Sequence, residues 1–292
     1  MIINDILKFR DKTQSDIFFD YDINKLNWFN IGGKTAIFYK PKSLKELIEF
    51  LKLYSKRGKI FILGAGSNVL FRDEKYNGVI IKLGKNFSNI SILDQNKIIA
   101  GCATNQKKLS NFAMQNNIGG LEFLSCIPGT VGGGIRMNSG CFKQEFKDVL
   151  LSIQLLDFNG IIKTLPADKV VFKYRNIDLP KNIIFLSATF KGVNKNKIEI
   201  EKYMSEIIHK KEKTQPTKVK TGGSTFRNPI DQTDKKVWEL IKESVSLDAN
   251  FGDAIISNKH VNFFINKKNA KFSDMKSLID YVKNEVKKKT GI

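Results

Sequence analysis

Four of the six residues at positions 129–134 are glycine, and this short segment limits the possible fold more than any other part of the chain. Glycines at this density do not form a long regular helix or strand, and they lose much conformational entropy on folding. Apolar residues flank the segment, among them Phe123, Leu124 and Ile135. The flanking residues favour a buried path against a flat or bulky ligand over the alternative, a glycine-rich surface loop.

Strand and helix patterns of ordinary length lie on both sides of the glycine-rich segment. Ser43 and Glu46 form a capping box that opens an amphipathic helix, for which Gly58 is the expected C-cap. Asn159-Gly160 predicts a hairpin turn. The pattern indicates mixed α/β or α+β structure rather than a helical bundle. Strands are predicted over residues 35–40, 60–63, 149–157, 161–165, 182–190 and 261–266, and further helices over 105–116, 196–213, 235–243 and 273–289.

The composition excludes several classes of site. Three cysteines and two histidines argue against a disulfide framework, a zinc motif and a Ser-His-Asp hydrolase. The net charge of +20 invites a nucleic-acid interpretation, but only six of the 49 basic residues are arginine, the usual residue for phosphate and base contacts. We therefore favour a solvated lysine-rich surface, whose positive field would attract a small anionic substrate.

The sequence contains no apolar run near the ~20 residues of a membrane helix. The start of the chain also lacks the basic and apolar regions of a signal peptide. We expect a cytoplasmic protein that does not contact a membrane.

Three further segments contain groups that could bind a ligand or take part in a reaction. Residues 64–68 (GAGSN) follow an apolar strand and offer backbone and side-chain donors to a phosphate, although a tight strand–turn–strand is an even alternative. Tyr174-Arg175 could bind a carboxylate or phosphate. Ser224 follows paired glycines and has no histidine near it in sequence, so it is better suited to donate a hydrogen bond or proton than to act as a hydrolase nucleophile. An ordinary turn is the alternative there.

Taken in order, these segments resemble the UDP-N-acetylenolpyruvoylglucosamine reductase (UDP-N-acetylmuramate dehydrogenase) family. The resemblance extends over about residues 24–291 and matches the shorter subtype, which has no tyrosine-bearing loop after Tyr174-Arg175. The motifs that carry it are WFNIGG at 28–33, GAGSN at 64–68, GLEFL at 120–124, IPGTVGG at 127–133, MNSG at 137–140, Tyr174-Arg175, GGSTFRNP at 222–229, and Ser257 with His260, Asn262 and Phe263.

The resemblance implies an α+β fold with an FAD-binding domain of the vanillyl-alcohol-oxidase (PCMH) type. That domain would cover residues 1–205 in two subdomains that meet near residue 85, and a substrate-binding α+β domain would cover 206–292. It also implies noncovalent FAD, NADPH as co-substrate, a monomer, and no metal or nucleic acid. The FAD contacts that it implies are Gly64, Ala65, Gly66, Ser67, Asn68, Pro128, Gly129, Thr130, Gly132, Gly133 and Asn138.

The implied reaction reduces UDP-N-acetylglucosamine enolpyruvate to UDP-N-acetylmuramate for peptidoglycan synthesis. Arg175 matches the position of the guanidinium that stabilises the enolate, and Ser224 matches the proton donor. Tyr174 and Asn228 match substrate-contacting positions.

The sequence departs from the family pattern at several positions. The family continues into a strand that carries a catalytic glutamate, for which residues 289–292 offer no counterpart, and we expect impaired activity if it is absent. Cys126 and Lys143 stand where glycine is usual, and Phe142 where tyrosine is usual. Three alternatives therefore stay open: a catalytically impaired copy, an FAD-dependent oxidoreductase with another substrate, and a nonenzymatic FAD- or nucleic-acid-binding remnant.

Overall fold

The computed structural model describes residues 2–292 as seven α-helices and eighteen short strands, joined by turns of 3-10 helix. The helices are α1 (Ile2–Arg10), α2 (Leu44–Tyr54), α3 (Gln106–Gln115), α4 (Val131–Arg136), α5 (Lys197–Thr214), α6 (Val237–Ser244) and α7 (Phe272–Thr290). The strands are β1 (Asp16–Asp22), β2 (Lys34–Lys40), β3 (Lys59–Ile62), β4 (Tyr76–Ile81), β5 (Ile90–Asp94), β6 (Lys97–Gly101), β7 (Ile118–Gly119), β8 (Gly140–Cys141), β9 (Gln144–Glu145), β10 (Leu150–Asp157), β11 (Ile162–Pro166), β12 (Phe172–Lys173), β13 (Asn176–Ile177), β14 (Ile183–Lys191), β15 (Val193–Asn194), β16 (Asn250–Phe251), β17 (Ala254–Ile256) and β18 (Phe264–Asn266).

The chain forms two compact units, which are not continuous in sequence. The first unit contains the N-terminal residues up to Asp20, then Ala36–Ala65 and Asn77–His209. The second contains Tyr21–Thr35, Gly66–Tyr76 and Lys210–Ile292. Among residues 2–292, no helix combines the length and apolar character needed to cross a lipid bilayer.

A four-stranded sheet and two helices build one core of the first unit. Its strand order is β1-β2-β4-β3, with β3 and β4 parallel. Apolar residues of α2 lie at i, i+3 and i+4 spacing and pack on the sheet: Phe50 stacks on Tyr39 with ring centroids 4.1 Å apart. Ser43 caps α2 by accepting the Glu46 backbone N–H, as its sequence predicts.

A five-stranded antiparallel sheet builds the other core of the first unit. Its order is β11-β10-β14-β6-β5, and its buried side chains pack with those of α3, α4 and the turn at Glu122–Cys126. Phe146 lies at the centre, in edge contact with Phe123 and Phe190. Val131, Gly134 and Ile135 of the short helix α4 are buried in this core, so the glycine-rich segment follows a partly buried path.

The second unit has its own core, built from segments that are distant in sequence. Helices α6 and α7 pack on the sheet β16-β17-β18, and Phe29 and Ile31 from the early part of the chain complete the cluster. The Asn266 side chain donates to the Phe29 carbonyl over 2.8 Å, across 237 residues of sequence.

Two local predictions were wrong. Gly58 does not cap α2, since the helix ends at Tyr54 with Ser55 as C-cap. Gly58 instead passes so close to Tyr54 that a Cβ would lie 2.3 Å from its hydroxyl. The strand predicted over 261–266 is only Phe264–Asn266, because the residues before it close a turn in which the Phe263 N–H donates to the His260 carbonyl.

Candidate functional site

The first two residues of the GAGSN turn, Gly64 and Ala65, belong to the first unit together with the glycine-rich helix α4. Gly64 follows β3, and a Cβ built on it would lie 2.6 Å from Oγ1 of Thr130. Thr130 is the N-cap of α4 and accepts the Gly133 backbone N–H. Gly64 and Thr130, which are 66 residues apart in sequence, therefore lie side by side in the first unit.

The two glycine-rich segments differ in whether their backbone N–H groups already have hydrogen-bond acceptors. In α4, the Val131 and Gly132 N–H groups donate to the carbonyls of Thr104 and Cys102. The first N–H groups of this short helix therefore already have acceptors within the protein. In the first turn, no acceptor within the described residues 2–292 takes the backbone N–H of Gly64 or Ala65. Paired free N–H groups beside glycine suit an anionic group such as a diphosphate.

The glycines of α4 also differ from each other. Gly132 packs tightly, since its Cβ would lie 3.1 Å from Cβ of Cys102. Gly133 is exposed and would meet only Oγ1 of Thr130, at 3.5 Å. Packing thus explains Gly132, while Gly133 leaves room for a ligand against the backbone.

The turn at Tyr174-Arg175 links the short strands β12 and β13 and holds a guanidinium in a fixed position. Arg175 has φ of 54°, a left-handed conformation that costs a non-glycine residue energy. Its Nη1 donates to the Asn138 carbonyl at 3.4 Å and its Nη2 to the Gly140 carbonyl at 2.9 Å. The guanidinium also lies 5.4 Å from the centre of the Tyr174 ring. Backbone strain at a half-buried, well-anchored arginine is typical of a functional position.

Asn138 donates both amide hydrogens of its side chain within the protein, and its Oδ1 accepts one hydrogen bond. The side chain is 1% exposed, and its Nδ2 donates to Oε2 of Glu145 at 3.0 Å and to the Lys173 carbonyl at 3.3 Å. Its Oδ1 accepts the Lys147 backbone N–H at 3.1 Å. The carboxamide thus connects three segments near Arg175: the loop at Asn138, residues 145–147 and Lys173.

Ser224 lies in the second unit on an extended segment that pairs with the 262–264 region. It forms an antiparallel bridge with Phe263 and is itself exposed. Gly223 before it has φ of 83° and open space around its Cα, so this turn requires glycine for conformation and not for packing. Ser224 is therefore exposed, while its backbone is fixed by pairing with the segment around Phe263.

Asn262 holds that backbone. Its Oδ1 accepts the Phe226 N–H at 2.9 Å, its Nδ2 donates to the Phe226 carbonyl at 2.9 Å, and its own carbonyl accepts the Thr225 N–H. Burial lowers the pKa of neighbouring His260, whose Nδ1 accepts the Asn262 N–H at 3.3 Å. His260 packs edge-on against Phe263, with ring centroids 4.9 Å apart.

The Asn228 side chain caps helix α6. Its Oδ1 accepts the backbone N–H of Val237, the first residue of α6. Arg175 belongs to the first unit, and Ser224 and Asn228 belong to the second. No group of three or more His, Cys, Asp or Glu residues suited to a metal is present in the described part of the chain.

The sequence analysis did not single out Glu145 or Arg136. Arg136 donates to the carbonyls of Leu179 and Pro180 and lies over the Phe185 ring at 4.8 Å, which ties α4 to the chain after Arg175. The sequence indicated Arg136 only through its position, as a charged residue at the end of an apolar, glycine-rich segment. Glu145 could have been found from the Glu145–Asp148 capping box.

Comparisons with known proteins agree with this arrangement. Residues 35–166 match the family model described as FAD binding domain, and residues 215–292 match the model described as UDP-N-acetylenolpyruvoylglucosamine reductase, C-terminal domain. These matches confirm the α+β fold with an FAD-binding domain followed by a C-terminal domain.

The chain is similar throughout its length to curated reductases. It is 63% identical over 292 residues to the UDP-N-acetylenolpyruvoylglucosamine reductase of Pelagibacter ubique, covering 100% of this chain and 97% of that protein. It is 42% identical over 274 residues to that of Rickettsia massiliae, covering 94% and 91%. The crystal structure of the reductase from Thermus caldophilus superposes with a TM-score of 0.80 at 27% identity, covering 93% of this chain and 95% of that one. On these similarities the chain belongs to the UDP-N-acetylenolpyruvoylglucosamine reductase family.

Proposed function

We propose that this chain uses FAD and NADPH to reduce UDP-N-acetylglucosamine enolpyruvate to UDP-N-acetylmuramate, a peptidoglycan precursor. The observation that carries the proposal is 63% identity along the whole chain to a reductase of that name. The FAD-binding family match over residues 35–166 supports the cofactor. The strained, anchored Arg175 and the displayed Ser224 supply the two chemical groups that this reduction needs.

The residues present fit FAD in the first unit. The free N–H groups of Gly64 and Ala65 suit its diphosphate, and we extend this contact through Gly66, Ser67 and Asn68. The open backbone at Gly133 suits a flat ring. We assign the remaining contacts to Pro128, Gly129, Thr130, Gly132 and the backbone of Asn138, because both amide hydrogens of the Asn138 side chain are already donated within the protein.

Bound in the first unit, FAD would supply hydride-transfer chemistry: NADPH would be oxidised and C3 of the enolpyruvyl group would receive the hydride. The pair of electrons displaced from the C2–C3 double bond then builds negative charge at C2 and on its carboxylate. Arg175 stabilises this charge through the part of its guanidinium that the Asn138 and Gly140 carbonyls leave free. Its anchoring means that little reorganisation accompanies the reaction.

Ser224 donates the proton that C2 requires, so hydride and proton together saturate the double bond. A serine hydroxyl is a weak acid, and it serves here because the carbanion is strongly basic and the Asn262 bonds fix the segment. Tyr174 and Asn228 bind substrate. We further propose a monomer that acts in the cytoplasm without nucleic acid.

The test is an anaerobic two-step experiment on the purified chain. NADPH should bleach the flavin absorbance, and UDP-N-acetylglucosamine enolpyruvate should restore it with formation of UDP-N-acetylmuramate. UDP-N-acetylglucosamine, which lacks the enolpyruvyl group, should restore nothing. In D2O the product should carry one deuterium at C2. Ser224→Ala should slow only the second step, by about 10²- to 10⁴-fold for loss of a positioned acid. A protein that cannot be loaded with FAD, or that never recolours, would refute the proposal.

A further inference from the structure

We infer that Asn138 and Glu145 are positioning residues that hold the Arg175 guanidinium in place for the proposed reduction. The inference rests on the proposed function, and it names residues that act on the reaction through Arg175. It starts from the hydrogen bonds around the hairpin β8–β9 (Gly140–Cys141 and Gln144–Glu145).

Both acceptors of the Arg175 guanidinium belong to one short stretch of chain. The carbonyls of Asn138 and Gly140 point at Nη1 and Nη2, and β8 begins at the second of them. Backbone carbonyls hold a guanidinium only as well as their own loop is held. The stretch is glycine-containing and irregular, so something else must fix it.

The Asn138 side chain fixes the stretch from within. It donates to the Lys173 carbonyl, two residues before Arg175, and accepts from Lys147 on the far side of the hairpin. Asn138 itself has φ of 37°, a region that asparagine tolerates better than most residues. One carboxamide thus joins the loop that supplies the carbonyls to the turn that supplies the arginine.

Glu145 completes the connection. Its Oε2 accepts Nδ2 of Asn138 at 3.0 Å and lies 3.3 Å from Nζ of Lys147. A hydrogen bond to a carboxylate is stronger than one between neutral groups, so it fixes which way the Asn138 amide faces. The reversed amide would turn Oδ1 toward both Glu145 and the Lys173 carbonyl, which repel it.

Kinetics of Asn138→Ala separate positioning from cofactor contact. We expect reoxidation of reduced flavin by the enolpyruvyl substrate to slow about tenfold to a hundredfold, the range for a small misplacement of a catalytic group. FAD affinity and flavin reduction by NADPH should change less than about threefold. Asn138→Asp should be at least as slow, since its carboxylate faces Glu145, while Glu145→Gln, which keeps an acceptor oxygen, should be faster than Glu145→Ala.

The double variant Asn138→Ala/Arg175→Ala supplies the decisive comparison. It should reoxidise as slowly as Arg175→Ala alone, because a residue that acts through Arg175 has nothing left to position. Ser43→Ala, which removes the cap of α2 in the other core of the same unit, controls for lost stability and should leave both steps unchanged. Additive effects in the double variant, or loss of FAD, would overturn the inference.

A second readout does not depend on turnover. The chain has six arginines, so its Nε–Hε NMR spectrum is small enough to assign Arg175 from the signal missing in Arg175→Lys. Asn138→Ala should broaden or shift that signal and leave the other arginine signals in place. An unchanged Arg175 signal would overturn the positioning role even if the wild-type chain reduces no enolpyruvyl substrate. Absent turnover with a perturbed signal would refute only the proposed function.

Discussion

Lys143→Gly is expected to stabilise the first unit, because lysine occupies a backbone conformation there that favours glycine. Phe142 and Lys143 form the two-residue turn between β8 and β9, with φ of 51° and 66°. Two central residues at positive φ define a type I′ turn, whose second position is usually glycine. Lys143 is exposed, and no described residue forms a hydrogen bond or ion pair with its side chain.

Two opposing terms set the magnitude. Relief of the left-handed conformation is worth about 1–2 kcal/mol for a residue that carries a Cβ. Glycine reduces this gain by about 0.5–1 kcal/mol, because an unfolded chain with glycine has more conformational entropy to lose on folding. The net gain is about 0.5–1 kcal/mol, which raises the melting temperature by about 2 °C for a unit of this size.

Thermal and urea unfolding of three variants would check this reasoning. Lys143→Ala keeps the Cβ and should match the wild type, whereas Lys143→Asn should gain part of the glycine effect, since asparagine tolerates positive φ. A gain for alanine equal to that for glycine would show that removal of the lysine side chain matters and the backbone conformation does not. A loss of stability for glycine would refute the argument outright.

Three further outcomes are expected. The Glu46 carboxylate accepts four hydrogen bonds, from Thr13, Gln14, Ser15 and Ser43; burial opposes them, but together they lower its pKa from 4.5 to about 2. The stabilisation from the ionised Glu46 is therefore complete above pH 4.5 and is lost as the pH falls toward 2. Because solvent screens this largely exposed carboxylate, Glu46→Gln should cost only about 1–2 kcal/mol of unfolding free energy at pH 7, and close to nothing near pH 2, by urea unfolding. Gly64→Ala should destabilise by about 1–3 kcal/mol through the 2.6 Å approach to Thr130, and the loss should shrink in a Thr130→Ala background that has no Oγ1. Asn262→Asp should cost about 1–3 kcal/mol in chemical unfolding, because the Phe226 carbonyl loses its donor, and Asn262→Ala should cost a similar amount.

Local patterns predicted five of the seven α-helices in residues 2–292 and several of the strands. The hairpin at Asn159-Gly160 forms between β10 and β11, with Gly160 at φ of 88°. Helices α3, α5, α6 and α7 begin and end within two residues of the predicted ranges. These elements depend on periodicity and turn chemistry, which are properties of neighbouring residues.

Contacts between distant residues could not be predicted. Nothing around Arg175 in sequence indicates that it bonds to carbonyls near residue 140, or that its backbone is left-handed. The role of Gly58 could not be predicted either. The close approach of Tyr54, which requires glycine there, depends on how the turn after α2 folds. The roles assigned to Ser224 and Asn228 stay predictions.

The order of segments in the second unit has a consequence for biosynthesis. Its core needs Phe29 and Ile31 together with side chains of α6 and α7, the last of which ends at Thr290. Two early segments of the chain, residues 21–35 and 66–76, leave the ribosome long before their packing partners exist. The first unit has all of its residues once His209 has emerged, so it can fold while those apolar segments wait exposed. A chain that terminates between His209 and Val237 would contain every residue of the first unit but neither α6 nor α7, and it would leave Phe29 and Ile31 without these packing partners.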